Sequence, residues 1–216
     1  MSLRRLSFYF LLLALATGAP SAPLLAQAPA AAAVLRAEYG ERLHLNGIAN
    51  AGKISAQLYR GAQPRRGSVA ELKKLGITTI VDLRSEDAGL RDREKEEAEG
   101  LGLRFVSIPV SGWTPPTDAQ VAEFLALFRS RPKERVFVHC RFGEDRTGVF
   151  VASYRMALEG WTPQKALGEM YFFGFNHFWH PAMRTFVRDF PRRLSEAPEL
   201  AAFRRNAADG AQGARP

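Results

Sequence analysis

One stretch, residues 136–152, constrains this chain more than any other. The apolar run Val136-Phe137-Val138 reads as a buried strand, and Val149-Phe150-Val151-Ala152 continues at helical spacing. Between them stand His139, Cys140, five residues and Arg146. A strand, a tight loop and a helix start in that order form an anion-binding turn. The first backbone N–H groups of a helix have no partner within it and can face a bound anion.

The spacing suits a single phosphate. Amides after Cys140 can turn inward and donate to it, and Gly143 allows a backbone angle that other residues resist. Arg146 can fork onto two phosphate oxygens. The phosphate-holding set is therefore Arg141, Phe142, Gly143, Glu144, Asp145 and Arg146. The same donors and the helix dipole favour a sulfur anion at Cys140. A thiolate beneath a bound phosphate is an in-line nucleophile. Thr147 is placed to give its hydroxyl to that sulfur, and His139 reads as orienting the loop rather than as a base.

These residues carry a resemblance. His139-Cys140, five residues and Arg146-Thr147-Gly148 resemble the signature loop of the cysteine-based protein tyrosine and dual-specificity phosphatases. The ending Gly143-Glu144-Asp145-Arg146-Thr147-Gly148 is similar to a bacterial branch of them. A weaker likeness extends over residues 58–190 and opens on Leu58-Tyr59-Arg60-Gly61-Ala62-Gln63-Pro64. The resemblance implies a dual-specificity phosphatase-like fold and metal-independent hydrolysis of a phosphate monoester through a phosphocysteine, with no cofactor. It implies a phosphorylated protein, an inositol phosphate or a phosphoinositide as substrate.

The resemblance also asks for a general acid. Many dual-specificity enzymes carry an Asp in the loop before the signature strand, but here residues 108–116 contain no carboxylate. The nearest is Asp118 at a helix start, where capping is the competing role. Asp145 occupies the position thought to supply the acid in related bacterial and lipid phosphatases, although Arg146 beside it favours its charged form. Position favours Asp145 over Asp118. Two other classes stay in view: rhodanese-like sulfur transfer and a phosphate-binding module without turnover. The Arg-Thr-Gly ending speaks against the first. The set of cysteine, arginine and candidate acids speaks against the second.

The rest of the chain alternates strand and helix, which implies an α/β fold with a central, largely parallel sheet flanked by helices. The signature loop then lies at the carboxyl end of a central strand, where open α/β sheets bind ligands. Ser68 to Glu71 has the capping-box pattern, opening a helix that stops at Gly76. Residues 77–83 are a buried strand ending in Arg84, which reads as the ion-pair partner of a nearby acid. Residues 88–100 read as a solvated charged helix, and residues 103–110 as the next strand. Thr117 to Gln120 cap a helix that presents Val121, Phe124, Leu125 and Phe128 to the sheet. Thr162 caps another with Pro163 at its first position, and its closing aromatics read mostly as core. Pro181 opens a last helix to about Phe190.

Residues 1–28 read as an export signal: Arg4 and Arg5, an apolar run over residues 8–16 too short to span a bilayer, then small residues. The expected location is the bacterial periplasm or the exterior, with no transmembrane segment after signal removal. Residues 29–54 read as a linker and N-terminal extension, residues 55–194 as the phosphatase domain, and residues 195–216 as a partly disordered tail. Cys140 is the only cysteine, so no internal disulfide holds the fold, and its reactivity explains it better than stapling does. Net charge is +8, or +6 without Arg4 and Arg5. That favours anionic substrates or surfaces, but no basic run interleaved with aromatics points to nucleic acid. His177 and His180 lack the carboxylate or cysteine spacing that would complete a metal site. Nothing in the pattern fixes an oligomeric state.

Overall fold

The sheet has six strands: β1 (Glu41–Arg42), β2 (Gly52–Lys53), β3 (Leu58–Ala62), β4 (Thr79–Arg84), β5 (Arg104–Val110) and β6 (Val136–Cys140). Their order is β1-β2-β3-β6-β4-β5. In this computed structural model, which describes residues 38–130 and 133–204, β3, β6, β4 and β5 run parallel. β2 pairs antiparallel with β3, and β1 with β2. The sheet is thus largely parallel, with the signature strand β6 between β3 and β4. The expected signal over residues 1–28 and the end of the tail, residues 205–216, lie outside the described residues.

Six helices lie among the described residues: α1 (Val69–Lys74), α2 (Ala88–Gly100), α3 (Asp118–Ser130), α4 (Asp145–Glu159), α5 (Pro163–Phe172) and α6 (Pro181–Glu196). A 3₁₀ turn follows at Pro198–Phe203. Strands β4 and β6 are buried along their whole length, as a sheet covered on both faces requires. Side chains alternate across β6. Val136, Val138 and Cys140 join the larger apolar cluster with residues of α3, α4, α5 and α6. Phe137 joins the smaller cluster with residues of α1 and α2. Within the larger cluster Phe124 and Phe150 meet edge to face at 5.3 Å. Burying a side chain of this size contributes roughly 1.5–3 kcal/mol over leaving it exposed.

Several local expectations change. Ser68 precedes α1 in a helical backbone conformation and makes no capping hydrogen bond. Glu71, which the pattern assigned to that box, pairs with Lys74 at 2.7 Å instead. Helix α2 is not solvated all round, because Glu94 and Ala98 are buried. Helix α6 continues beyond Phe190, through Pro191, to Glu196. Leu200 and Phe203 enter the larger core, so packing extends past residue 194. Residues 38–54 are more than a linker: β1 and β2 extend the sheet, and Ile48, Ala51 and Ile54 are buried. The reciprocal cap at α3 forms as expected. Thr117 Oγ1 accepts from the Gln120 N–H at 3.2 Å, and Gln120 Oε1 accepts from the Thr117 N–H at 2.8 Å.

Candidate active site

Cys140 is the last residue of β6 and α4 begins at Asp145, so the loop between them is the turn from a central strand into a helix. Cys140 is 3% exposed and forms the floor of a cleft of about 450 Å³. Arg141, Phe142, Asp145, Arg146, Glu86, Trp113 and His180 are among the residues around it. Among the described residues no hydrogen bond engages the backbone N–H of any residue from Phe142 to Thr147. The first to bond is Gly148, whose N–H donates to Glu144 O at 2.9 Å. A row of free donors at a helix start beside a cysteine fits an anion. Gly143 and Glu144 do not line the cleft and contribute to this row through their backbone.

One wall of the cleft is a locked ion pair. Arg146 Nη1 and Nη2 each donate to a carboxylate oxygen of Glu86, both at 2.7 Å, and Nη1 also reaches Val110 O at 3.1 Å. None of these three bonds uses Nε, so the Nε edge of the guanidinium is left for a second, forked contact. The hydrogen bond from Arg146 lowers the Glu86 pKa to about 2, with burial opposing. Burial works against the Arg146 charge, but Glu86 and the Cys140 sulfur outweigh it and raise its pKa.

The opposite wall is looser. Asp145 Oδ2 lies 3.3 Å from His180 Nε2, and Asp145 Oδ1 accepts from the Asn176 N–H at 3.5 Å. The His180 ring leans on Trp113 at 5.5 Å, and its buried Nδ1 has no partner among the described residues. His177 instead contacts Tyr171 and Phe178, so the two histidines part company.

Beneath the loop lies a buried charged network. His139 Nδ1 is 3.3 Å from the Cys140 carbonyl. Its Nε2 is 2.8 Å from Glu94 Oε1, close enough for an ion pair though poorly angled for a hydrogen bond. Burial lowers the His139 pKa, but Glu94 and Asp82 outweigh it and the net shift is upward. Arg84 binds Asp82 at 2.8 and 2.9 Å and Glu94 at 2.7 Å, the structural ion pairing expected at that strand end. The ligating atoms of Asp82, Glu94 and His139 lie within 4.8 Å of one another. Arg84 already compensates both carboxylates there, which makes the group an ion network rather than an open metal site.

The loop is also fastened from the side. Gly143 has φ +71°, and a Cβ there would lie 2.4 Å from the Gly61 carbonyl group. The Gly143 carbonyl accepts from Arg60 Nη2 and from Asn50 Nδ2, the latter at 3.0 Å. Arg60 is fully buried on β3, stacked 4.1 Å over Phe173. Burial lowers its pKa to about 10, while Glu169 and the Cys140 sulfur favour its charge. Glu144, at the cap position of α4, has its pKa raised by burial and by Asp145.

Two sequence-based assignments are not met. Asp118 does not line the cleft: its carboxylate is held by Arg193 Nη1 at 3.0 and 3.2 Å on the far side of α3's start. Thr117, not Asp118, makes the cap. The Thr147 hydroxyl is buried without a partner among the described residues, so the expected bond to sulfur is not made. Conversely, Glu86, His180, Arg60 and Asn50 were not singled out as site residues from the sequence. A larger cavity, about 970 Å³, is lined by residues between Glu41 and Ala51 and by Phe172, without Cys140, and holds no cysteine, serine or threonine.

Residues 41–183 match the family model described as "DSP-PTPase phosphatase fused to NAD+ Kinase". The chain is 35% identical over 127 residues to the dual specificity protein phosphatase TpbA of Pseudomonas aeruginosa, covering 58% of this chain and 55% of that one. It therefore spans about half the length of the curated relatives it matches. The crystal structure of P. aeruginosa TpbA superposes with a TM-score of 0.60 at 29% identity, over 74% of this chain and 97% of that one. A further TpbA structure, of a Cys-to-Ser form, is in complex with pTyr and has the same TM-score. The catalytic core of the Saccharomyces cerevisiae PP-IP phosphatase Siw14 superposes with a TM-score of 0.59 at 17% identity, over 73% of this chain and 98% of that one, a likeness of fold.

Proposed function

Because the chain belongs to this DSP-PTPase phosphatase family, we propose that it is a metal-independent phosphomonoesterase working through a phosphocysteine. The observation that carries the reading is the row of unbonded backbone N–H groups from Phe142 to Thr147 around Cys140. That row and Arg146 hold the phosphate while the Cys140 thiolate attacks phosphorus in line and the ester oxygen leaves. Asp145 delivers the proton to that oxygen, with His180 as its ion-pair partner. Water then cleaves the S–P bond, the same pair taking its proton, and phosphate departs. Arg60 and the His139–Glu94 pair hold the loop in shape. The substrate is a phosphoprotein, an inositol phosphate or a phosphoinositide, met outside the cytoplasm after export.

Nitrophenyl phosphate turnover by wild type and Cys140→Ser tests this. Wild type should release phosphate in the presence of EDTA, and the variant should fall to background while still binding inorganic phosphate. Turnover that survives in the variant, or that is lost to EDTA and restored by added metal, overturns the mechanism. Turnover of thiosulfate instead of phosphate esters would assign sulfur transfer.

A further inference from the structure

Six large apolar side chains stand exposed among the described residues; two of them line the cleft and three more stand on the segment that leads to His180. They are Trp113, Phe142, Tyr171, Phe178 and Trp179, with exposures from 41% to 83%. Trp113 and Phe142 line the cleft itself. Trp179 directly precedes His180, whose ring leans on Trp113, and Phe178 stacks on His177 at 4.3 Å, which in turn meets Tyr171. The sixth, Leu101, follows α2 and belongs to no such group. An apolar cluster of this kind around the mouth of a polar site marks an interaction surface.

We propose that this rim docks on an anionic bilayer, and that the phosphate monoester delivered to Cys140 is carried by a lipid headgroup in that bilayer. The proposal rests on the phosphatase reading and narrows its substrate. Trp, Tyr and Phe are the side chains that settle at a membrane–water boundary, with flat apolar rings and, in Trp and Tyr, a polar edge. Here they stand on the loop before α3, the signature loop and the end of α5 with the turn after it. A peptide is read along a groove or a free strand edge, and a phosphorylated motif by clustered arginines; exposed rings are none of these, whereas they suit a membrane boundary.

Charge points the same way. The acids at the mouth are engaged: Glu86 with Arg146 and Asp145 with His180. Arg141, exposed beside Phe142, and Arg184, one turn beyond His180 on α6, have no carboxylate partner among the described residues. Free cations beside exposed aromatics suit a surface of anionic headgroups. Seated this way, the rim would enter the boundary region while a headgroup phosphate enters the cleft from the same side.

Vesicles of phosphatidylcholine doped with phosphatidic acid test this against the double variant Phe178→Ser/Trp179→Ser. Wild type should sediment with the vesicles, and its tryptophan emission should shift to the blue as Trp113 and Trp179 leave water. Trp161 lies between Arg155 and Lys165 and should not contribute. The variant should keep nitrophenyl phosphate turnover and lose phosphate release from the vesicles by about tenfold or more. Wild type that ignores the vesicles overturns the proposal. So does a variant that hydrolyses the vesicle lipid as well as wild type. A variant that binds vesicles normally but loses a phosphotyrosine peptide makes the rim a peptide site and overturns it as well. If wild type binds vesicles yet hydrolyses no phosphate ester, including nitrophenyl phosphate, the phosphatase reading and the lipid-substrate claim both fall, and the docking face alone stands.

Discussion

The two walls of the cleft are built on opposite principles. On one side Arg146 is gripped by Glu86 through two 2.7 Å bonds and by the Val110 carbonyl. On the other, Asp145 rests against His180 at 3.3 Å and against one backbone N–H at 3.5 Å. A group that must hold a dianion in one orientation gains from being fixed in advance, because its ordering cost is met during folding. A group that must give up and recover a proton needs a partner close enough to share it without locking it. The difference predicts that damage to the first wall harms every substrate alike, whereas damage to the second harms substrates according to their leaving group.

Arg146→Lys should give the largest effect, a fall in kcat/KM of roughly 10²–10³-fold on both nitrophenyl phosphate and phosphotyrosine, since a point charge cannot make the forked contact. Comparable kcat/KM in the lysine variant would break the comparison outright. Asp145→Asn should come next. Its cost should be about 10²-fold on phosphotyrosine or an alkyl phosphate and far less on nitrophenyl phosphate, whose leaving group needs little protonation. His180→Gln should show the same leaving-group dependence, more weakly. An equal loss on all substrates would mean that Asp145 positions phosphate instead.

These residues were unequally legible. Cys140, Asp145 and Arg146 lie on one continuous strand–loop–helix, so spacing alone exposes them. The parallel sheet follows from apolar runs alternating with capped helices. Glu86 and His180 reach the cleft only because β4 folds beside β6 and α6 beside α4, and their traces in the sequence were positional. Glu86 stands just past the carboxyl end of a parallel strand, and His180 just before Pro181. Arg60 was hidden because a cation inside a buried strand has meaning only once its neighbours are known. Glu94 was misread for the related reason that a helix dense in charge conceals which one of its acids turns inward.

Glu86→Gln sharpens the comparison from within the first wall. It should raise KM several-fold with little change in kcat, because Arg146 would lose its charged brace and keep its reach. Stability should respond as well. Glu86 has a folded pKa of about 2, below its ordinary 4.5, so its contribution is present above about pH 4.5 and fades as pH falls toward 2. Thermal midpoints across that range should separate wild type from Glu86→Gln above pH 4.5 and converge below it. Asp118→Asn should have the smallest effect, a slight loss of stability through Arg193 and no leaving-group dependence. A strong leaving-group dependence there would hand the proton to Asp118 and dissolve the second wall.

Gly61 and Gly143 restrict how this lineage can drift. A Cβ on Gly143 would strike the Gly61 carbonyl at 2.4 Å, and a Cβ on Gly61 would strike the Phe137 ring at 2.7 Å. For Gly143 the obstacle is main chain, which no neighbouring substitution removes; for Gly61 it is the Phe137 ring on the strand that ends in Cys140. Descendants that keep the Cys140 loop are therefore bound to inherit Gly143, and can change Gly61 only together with Phe137. Freer variation is left to the outermost rings, Phe178 and Trp179, which stand 83% and 69% exposed.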